Sequence, residues 1–356
     1  MGMSLESYGW NSYFSQHMPQ DDKNSVPGRI ASQHRSLYRV FTEHGEIVAA
    51  VGGRLLNESS SAADLPAVGD WVTLRLRESS RARIVSVLPR RSRLSRRAAG
   101  NRMDEQVICA NVDTVFIVTA LDQDFSVRRI ERYLSLTIDG GAAPVVILSK
   151  SDLASDSEEK RLLTSAVTLK APVHVVSSQN GDGVEALRQY LQPGKTVAFV
   201  GSSGVGKSTL INSLFGNEVQ KTAEVRTSDG TGRHTTTYRR LILLPGGALL
   251  LDTPGIREVK LWADEGSVDA SFADIMEAAE ECRFRDCTHH QEPGCAVREK
   301  ISPPRLESFF QQQKEITALQ QKSTLQASEA QKSKSETKKA RASHKERKNY
   351  RVEDEE

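Results

Sequence analysis

Apolar residues along the 356-residue chain fall into two rhythms, divided near residue 100. In the first part they alternate with polar residues over short runs: 36–41, 46–52, 71–77 and 82–88. A period of two marks half-buried strands, and Pro66-Ala67-Val68-Gly69-Asp70 reads as a turn between two of them. Short strands punctuated by Gly and Pro predict a compact β-barrel over 36–102. In the second part the apolar runs are continuous: Val145 to Leu148, Val173 to Val176, Val197 to Val200 and Ala248 to Leu251. Each is too short for a helix and ends in polar turn residues, which predicts buried strands of an α/β sheet. Gly183 to Leu191 and Thr209 to Phe215 read as helices.

The flanks differ. Residues 1–35 hold Trp10, Tyr13 and Phe14 in a polar stretch and read as a flexible extension. After Pro303-Pro304, a Gln-rich helical pattern with Leu306, Phe309, Phe310, Ile316 and Leu319 runs to about Ala330. The remainder has the composition of disorder.

Chemistry collects at the carboxyl ends of the continuous runs, where open α/β sheets bind ligands. After Val200 comes Gly201-Ser202-Ser203-Gly204-Val205-Gly206-Lys207-Ser208-Thr209, matching G-x-x-x-x-G-K-[ST]. Strand, glycine loop and helix are the context that this motif requires. Backbone N–H groups and the helix N-terminus then surround a polyphosphate, Lys207 reaches its terminal phosphates, and Ser208 binds Mg²⁺. Asp252 ends a later strand and suits a further Mg²⁺ contact, while the Gly255 amide suits the γ-phosphate.

A third strand delivers Ser149-Lys150-Ser151-Asp152. A carboxylate there accepts two hydrogen bonds from guanine N1–H and N2–H₂, which adenine does not offer. The next strand ends at Ser177, where a loop can reach the guanine carbonyl. GTPases usually carry Asn or Thr where this chain has Ser149. The guanine motif also precedes the phosphate loop, so the order of motifs is rotated.

Cys282, Cys287, His289 and Cys295 follow C-x₄-C-x-H-x₅-C, and they include three of the chain's four cysteines. Thiolate and imidazole are the ligands of tetrahedral Zn²⁺, and four of them close a structural site. Spacing alone leaves His289 and His290 as rival ligands. Cys109, isolated in an apolar stretch, reads as a small buried hydrophobe.

The net charge of +2 conceals an uneven distribution. Residues 81–102 hold eight arginines and no acid, and residues 332–351 hold nine Lys/Arg against two Glu. Basic stripes of this kind are the footprint of nucleic-acid binding. Arg90, Arg91, Arg93, Arg96 and Arg97 lead from the barrel toward the α/β domain and are candidate RNA phosphate contacts. Sparse aromatics favour shape and backbone recognition over base reading. No apolar run reaches the length of a membrane span, and the polar N-terminus does not resemble a signal peptide.

Taken with Asn111-Val112-Asp113, the run Gly232-Arg233-His234-Thr235-Thr236-Thr237 and Asp252-Thr253-Pro254-Gly255-Ile256-Arg257-Glu258, these features resemble the ribosome small-subunit-dependent GTPase A (RsgA, or YjeQ) family. The resemblance implies an OB-fold at 36–102, a circularly permuted GTPase domain at 103–262, a zinc-binding helical domain at 263–310, and a helical then disordered basic tail at 311–356. It favours His289 as the fourth zinc ligand. It further implies a cytoplasmic, monomeric GTP hydrolase with Mg²⁺ and one Zn²⁺, acting on the small (30S) ribosomal subunit and its rRNA.

Ile256 stands where many GTPases carry a Gln that orients the attacking water. His234 is therefore the candidate catalytic residue, with Thr235 or Thr236, the latter preferred, closing on Mg²⁺ and the γ-phosphate. The competing readings are an RNA-binding structural factor with vestigial hydrolysis, and a nucleotide kinase, for which no acceptor site is evident.

Overall fold

The computed structural model describes residues 3–19, 24–76, 81–97, 105–168, 170–216, 239–252 and 272–314, with Asp22 and Thr317. Five strands form the N-terminal domain: β1 (Ser25–His34), β2 (Leu37–Thr42), β3 (Gly45–Val51), β4 (Trp71–Arg75) and β5 (Ala82–Val87). β1 pairs with both β2 and β4, and the remaining pairings are β2–β3, β3–β5 and β5–β4. The sheet therefore closes on itself, with β3 and β5 parallel and the rest antiparallel. That is the five-stranded Greek-key barrel of an OB-fold.

β1 corrects the expected extension over 1–35. Pro27, Gly28 and the fully buried Arg29 break the apolar alternation that would have revealed a strand. A Cβ on Gly28 would lie 2.6 Å from both Leu74 and Val40, so the crowded barrel interior needs glycine there. The residues before β1 are packed as well. Leu5–Tyr8 forms a 3₁₀ turn, and α1 (Ser12–Gln16) is capped by the Asn11 side chain, which accepts from the Tyr13 amide at 3.0 Å. Tyr8 stacks on Phe41, Trp10 meets Trp71 edge-on, and Phe14 is 2% exposed. These aromatics of the polar N-terminal stretch are the barrel's own cover.

Arg29 ties this cover to the rest of the molecule. Its guanidinium donates to the carbonyls of Tyr8, Gly69 and Asn111 and to the Thr196 hydroxyl, the last two at 2.9 Å. Burial lowers its pKa to about 10, so it stays charged at neutral pH. Carbonyl dipoles and the Trp71 ring face that charge.

A short hairpin, β6 (Arg93–Arg97) with β7 (Glu105–Ala110), leads into the α/β domain. There β8 (Thr114–Ala120), β9 (Ala143–Ser149), β10 (Val173–Val175), β11 (Thr196–Val200), β12 (Arg240–Leu243) and β13 (Leu249–Asp252) lie in the order β10-β9-β8-β11-β13-β12. All neighbours are parallel except β12–β13, and a single bridge, Ser32 to Arg240, continues the sheet into the barrel. Side chains on its two faces fill two separate cores, as parallel strands buried on both sides require.

The rotation is visible in this order, since β8, β9 and β10 precede the phosphate-loop strand β11 in the chain. The segment expected to be a helix at 183–191 is a 3₁₀ helix, Glu185–Tyr190. The connector Gln192-Pro193-Gly194 then turns into β11, with the Gly194 amide donating to the Gly247 carbonyl at 2.8 Å.

The helices that matter for the site are α3 (Val127–Asp139), α4 (Ser157–Ser165) and α5 (Lys207–Phe215), which follow α2 (Gly53–Glu58) of the barrel. A C-terminal module of α6 (Ala273–Ala279), α7 (Ala296–Lys300) and α8 (303–314) packs around Phe272, Ile275, Val297 and Phe309. It docks on α3 through buried polar contacts. Arg305 donates to Glu131 at 2.5 Å and to Asp274 at 2.8 Å, lies over the Phe272 ring, and shares Glu131 with the Ser308 hydroxyl. The Ser135 hydroxyl donates to Gln312 at 3.0 Å. Removing one partner of so buried a pair typically costs about 3–5 kcal/mol.

Candidate functional site

The carboxyl edge of the α/β sheet gathers three of the predicted segments. At the end of β11 the chain folds back as Gly201 to Gly206 and enters α5 at Lys207. Gly201 has φ +139°, and a Cβ there would lie 2.2 Å from the Val118 carbonyl, so the loop can leave the sheet only through glycine. The Lys207 ammonium donates to the carbonyls of Gly201, at 2.8 Å, and Ser202. Ser203, Gly204, Ser208 and Thr209 are exposed at this edge, whereas Val205 is buried beneath the loop.

β9 delivers the guanine motif beside it. The Ser149 hydroxyl is buried and donates to the Val205 carbonyl at 2.6 Å. Lys150 takes a left-handed backbone conformation, and its ammonium pairs with Asp122 at 2.8 Å. That contact, with the Asp124 amide behind it, holds the Asp122 carboxyl below its ordinary range. Ser151 opens a 3₁₀ turn that leaves Asp152 exposed. One oxygen of Asp152 accepts from the Ser177 hydroxyl at 2.6 Å, so the loop after β10 orients the acid. Ser177 is itself fully buried. Asp252 ends β13, which β8 and β11 separate from β9, at the same edge.

The structure thus brings together Ser149, Lys150, Ser151, Asp152, Ser177, the phosphate loop and Asp252. His234, Thr236, Gly255 and Ile256 lie outside the described residues. Two groups at this edge escaped the sequence reading, Asp122 and Arg129. Arg129 on α3 donates to the Ser202 hydroxyl at 2.8 Å and is braced by both oxygens of Asp124 at 2.5 and 3.1 Å. The edge rule applied to β8 would have flagged Asp122-Gln123-Asp124, which leave its carboxyl end.

The ligand atoms of Cys282, Cys287, His289 and Cys295 all lie within 4.8 Å of one another. Cys282 Sγ is 3.6 Å from His289 Nδ1 and 3.9 Å from Cys295 Sγ, and Cys295 Sγ is 3.5 Å from the same nitrogen. A tetrahedral ion with thiolate bonds of about 2.3 Å sets neighbouring ligands roughly 3.5–3.8 Å apart, so the cluster fits one. None of these cysteines is in a disulfide. Of the two histidines, His289 lies in this cluster. His290 stacks on Phe310 with ring centroids 4.2 Å apart and serves packing. Cys109 is fully buried, as its surroundings in the sequence suggested.

Of the arginine stripe, Arg90 departs from expectation. Its guanidinium is bound to both oxygens of the fully buried Asp70 at 2.7 and 2.8 Å, and it donates to the carbonyls of Ala63 and Leu65. It is a strut of the barrel turn: together with the Ala67 amide, which donates to the same carboxylate at 2.7 Å, it offsets the charge of the buried Asp70. Arg91 and Arg93 are half-exposed and lean on Asp113 and Glu105 at 3.9 and 3.2 Å. Arg96 and Arg97 lie on β6. Among the described residues, no helix is long and apolar enough to cross a membrane.

Comparison with known proteins matches this architecture. The RsgA GTPase model covers residues 87–262, and a model described as 50S ribosome-binding GTPase covers 196–335. The second begins at β11, where the rotated chain starts to run in ordinary GTPase order. The small ribosomal subunit biogenesis GTPase RsgA of Opitutus terrae is 47% identical over 329 residues, covering 88% of this chain and 90% of its own. Its namesake in Syntrophotalea carbinolica is 40% identical over 349 residues, covering 94% and 96%. The crystal structure of YjeQ from Thermotoga maritima has a TM-score of 0.63 at 26% identity, covering 82% of this chain and 99% of that one. YloQ, described as a circularly permuted GTPase, shares the fold, with a TM-score of 0.59 at 24% identity. The similarity extends over most of the chain, and the chain belongs to the RsgA GTPase family.

Proposed function

We propose that this protein binds the small (30S) ribosomal subunit and acts late in its maturation, hydrolysing GTP to GDP and phosphate when the subunit engages it. The observation that carries the reading is the joined nucleotide site: Ser149 bonded to the phosphate loop and Asp152 oriented by Ser177. It sits in a chain similar over 88% of its length to a small-subunit biogenesis GTPase.

In this reading Asp152 selects guanine, Lys207 and the loop amides hold the phosphates, and Ser208, Thr236 and Asp252 serve Mg²⁺. The Gly255 amide meets the γ-phosphate. His234 assists hydrolysis when the subunit engages the protein, because Ile256 cannot orient water. The Cys₃His cluster holds one structural Zn²⁺. Arg91, Arg93, Arg96 and Arg97 contact rRNA phosphates, and the protein works as a cytoplasmic monomer.

Co-sedimentation with purified small subunits tests the partner. Binding is expected with a non-hydrolysable GTP analogue and weaker binding with GDP. Equal sedimentation with large subunits would contradict the assignment.

A further inference from the structure

We propose that Arg129 is a positioning residue for the phosphate loop, and that α3 links this loop to the metal-cluster module through Arg129 on one face and Glu131 on the other. Two residues apart on a helix are separated by about 200° around its axis, so the two side chains leave in nearly opposite directions. Glu131 and Ser135 meet Arg305 and Gln312 of the C-terminal module. Arg129 reaches Ser202 of the loop.

The loop end of this link is well defined. Asp124 grips the guanidinium with both carboxylate oxygens, which leaves it rigid where it donates to Ser202. Ser202 is also a residue whose carbonyl accepts from Lys207. One residue is therefore held by α3 through its hydroxyl and by the phosphate-binding lysine through its backbone. A phosphate that draws Lys207 forward changes the load on the residue that Arg129 holds.

The module end is equally constrained. Glu131 is 3% exposed, and its partners Arg305 and Ser308 are buried with it. A shift of α3 cannot be absorbed there by solvent, so Arg305 must follow. Coupling of this kind is reciprocal: docking of the module sets the loop, and the loop sets the docking. This route is distinct from the segment 253–271, which joins β13 to the module by the chain itself.

A mutant cycle tests the positioning role on the full-length protein. Arg129→Ala and Ser202→Ala should each weaken binding of a fluorescent GDP about fivefold, the net worth of one typical hydrogen bond, and the double variant should be no weaker than either. Affinity within twofold of wild type in both single variants, or effects that multiply in the double variant, would overturn it. Ser202→Ala is a small change on a half-exposed loop, which keeps the test usable if Arg129→Ala disturbs folding.

Amide exchange over 303–314 tests the link. In the wild type, exchange should differ between the GDP-bound and GTP-analogue-bound protein, and Ser202→Ala should abolish the difference. No difference in the wild type, or an equal one in Ser202→Ala, would overturn it. The latter result would assign the coupling to 253–271.

Discussion

The Ser149 hydroxyl donates to the Val205 carbonyl at 2.6 Å, binding the strand that reads guanine to the loop that holds phosphate. Serine at this position is thus tied directly to the phosphate loop. It makes from a buried site the contact that joins the two halves of the nucleotide site. Ser149→Ala leaves a buried carbonyl without this donor, at a cost of about 1 kcal/mol. Equilibrium titration should show GTP and GDP affinity both reduced about fivefold. An unchanged affinity would mean that the contact is incidental.

Asp152 presents its carboxylate from a short 3₁₀ turn and is oriented by Ser177. Asp152→Asn replaces an acceptor by an amide that cannot take both guanine N–H groups. GTP binding should fall at least about tenfold, and xanthosine triphosphate, whose second carbonyl can accept from the new amide, should gain. Such a swap is worth about 1.4 kcal/mol or more. If both nucleotides bind as before, Asp152 does not read the base.

The Cys₃His cluster and Cys109 should differ toward thiol reagents once metal is removed. Burial pushes the Cys109 thiol up to about 12, so at pH 8 it is neutral as well as inaccessible. In the native protein a thiol reagent should label no cysteine quickly. After chelation, three should react while Cys109 stays protected, and one equivalent of zinc should be released. Cys295→Ser should lose the metal and expose 272–314 to protease, since structural zinc contributes folding energy directly. Rapid labelling of Cys109 alone would contradict this assignment.

Arg90 and Arg91 are neighbours with different work to do. Arg90→Ala leaves Asp70 buried and unpaired, and should destabilise the barrel by about 3 kcal/mol or more. Arg91→Ala, at a half-exposed side chain, should leave thermal stability nearly unchanged. Instead it should flatten the salt dependence of subunit binding by about one unit of log–log slope. The reverse pattern would return Arg90 to the RNA surface.

What the sequence revealed and what it hid follow one physical division. The phosphate loop, the guanine motif and the metal ligands are local patterns, because each needs several side chains presented by one short segment. Contacts between distant segments leave no such trace. Arg305 and Glu131 are 174 residues apart, and neither has neighbours that announce a partner. Arg129 is one arginine among several on a helix, and its role appears only when Ser202 is beside it. Barrel strand β1 was hidden for another reason. Its buried positions hold Gly28 and Arg29, which a hydrophobicity pattern assigns to the surface. The Trp10–Trp71 contact shows why the N-terminal aromatics are there, and nothing within 1–35 could have shown it.

This GTPase is expected to be slow alone and switched on by the small subunit. GTP turnover with and without purified small subunits, at equal nucleotide and Mg²⁺, tests it most directly. Expected are slow basal turnover, stimulation of about tenfold or more by small subunits, loss of that stimulation in His234→Ala with affinity retained, and no turnover of ATP. Unstimulated turnover under conditions where sedimentation shows the subunit bound would contradict it, and would make the protein an RNA-binding factor with residual hydrolysis.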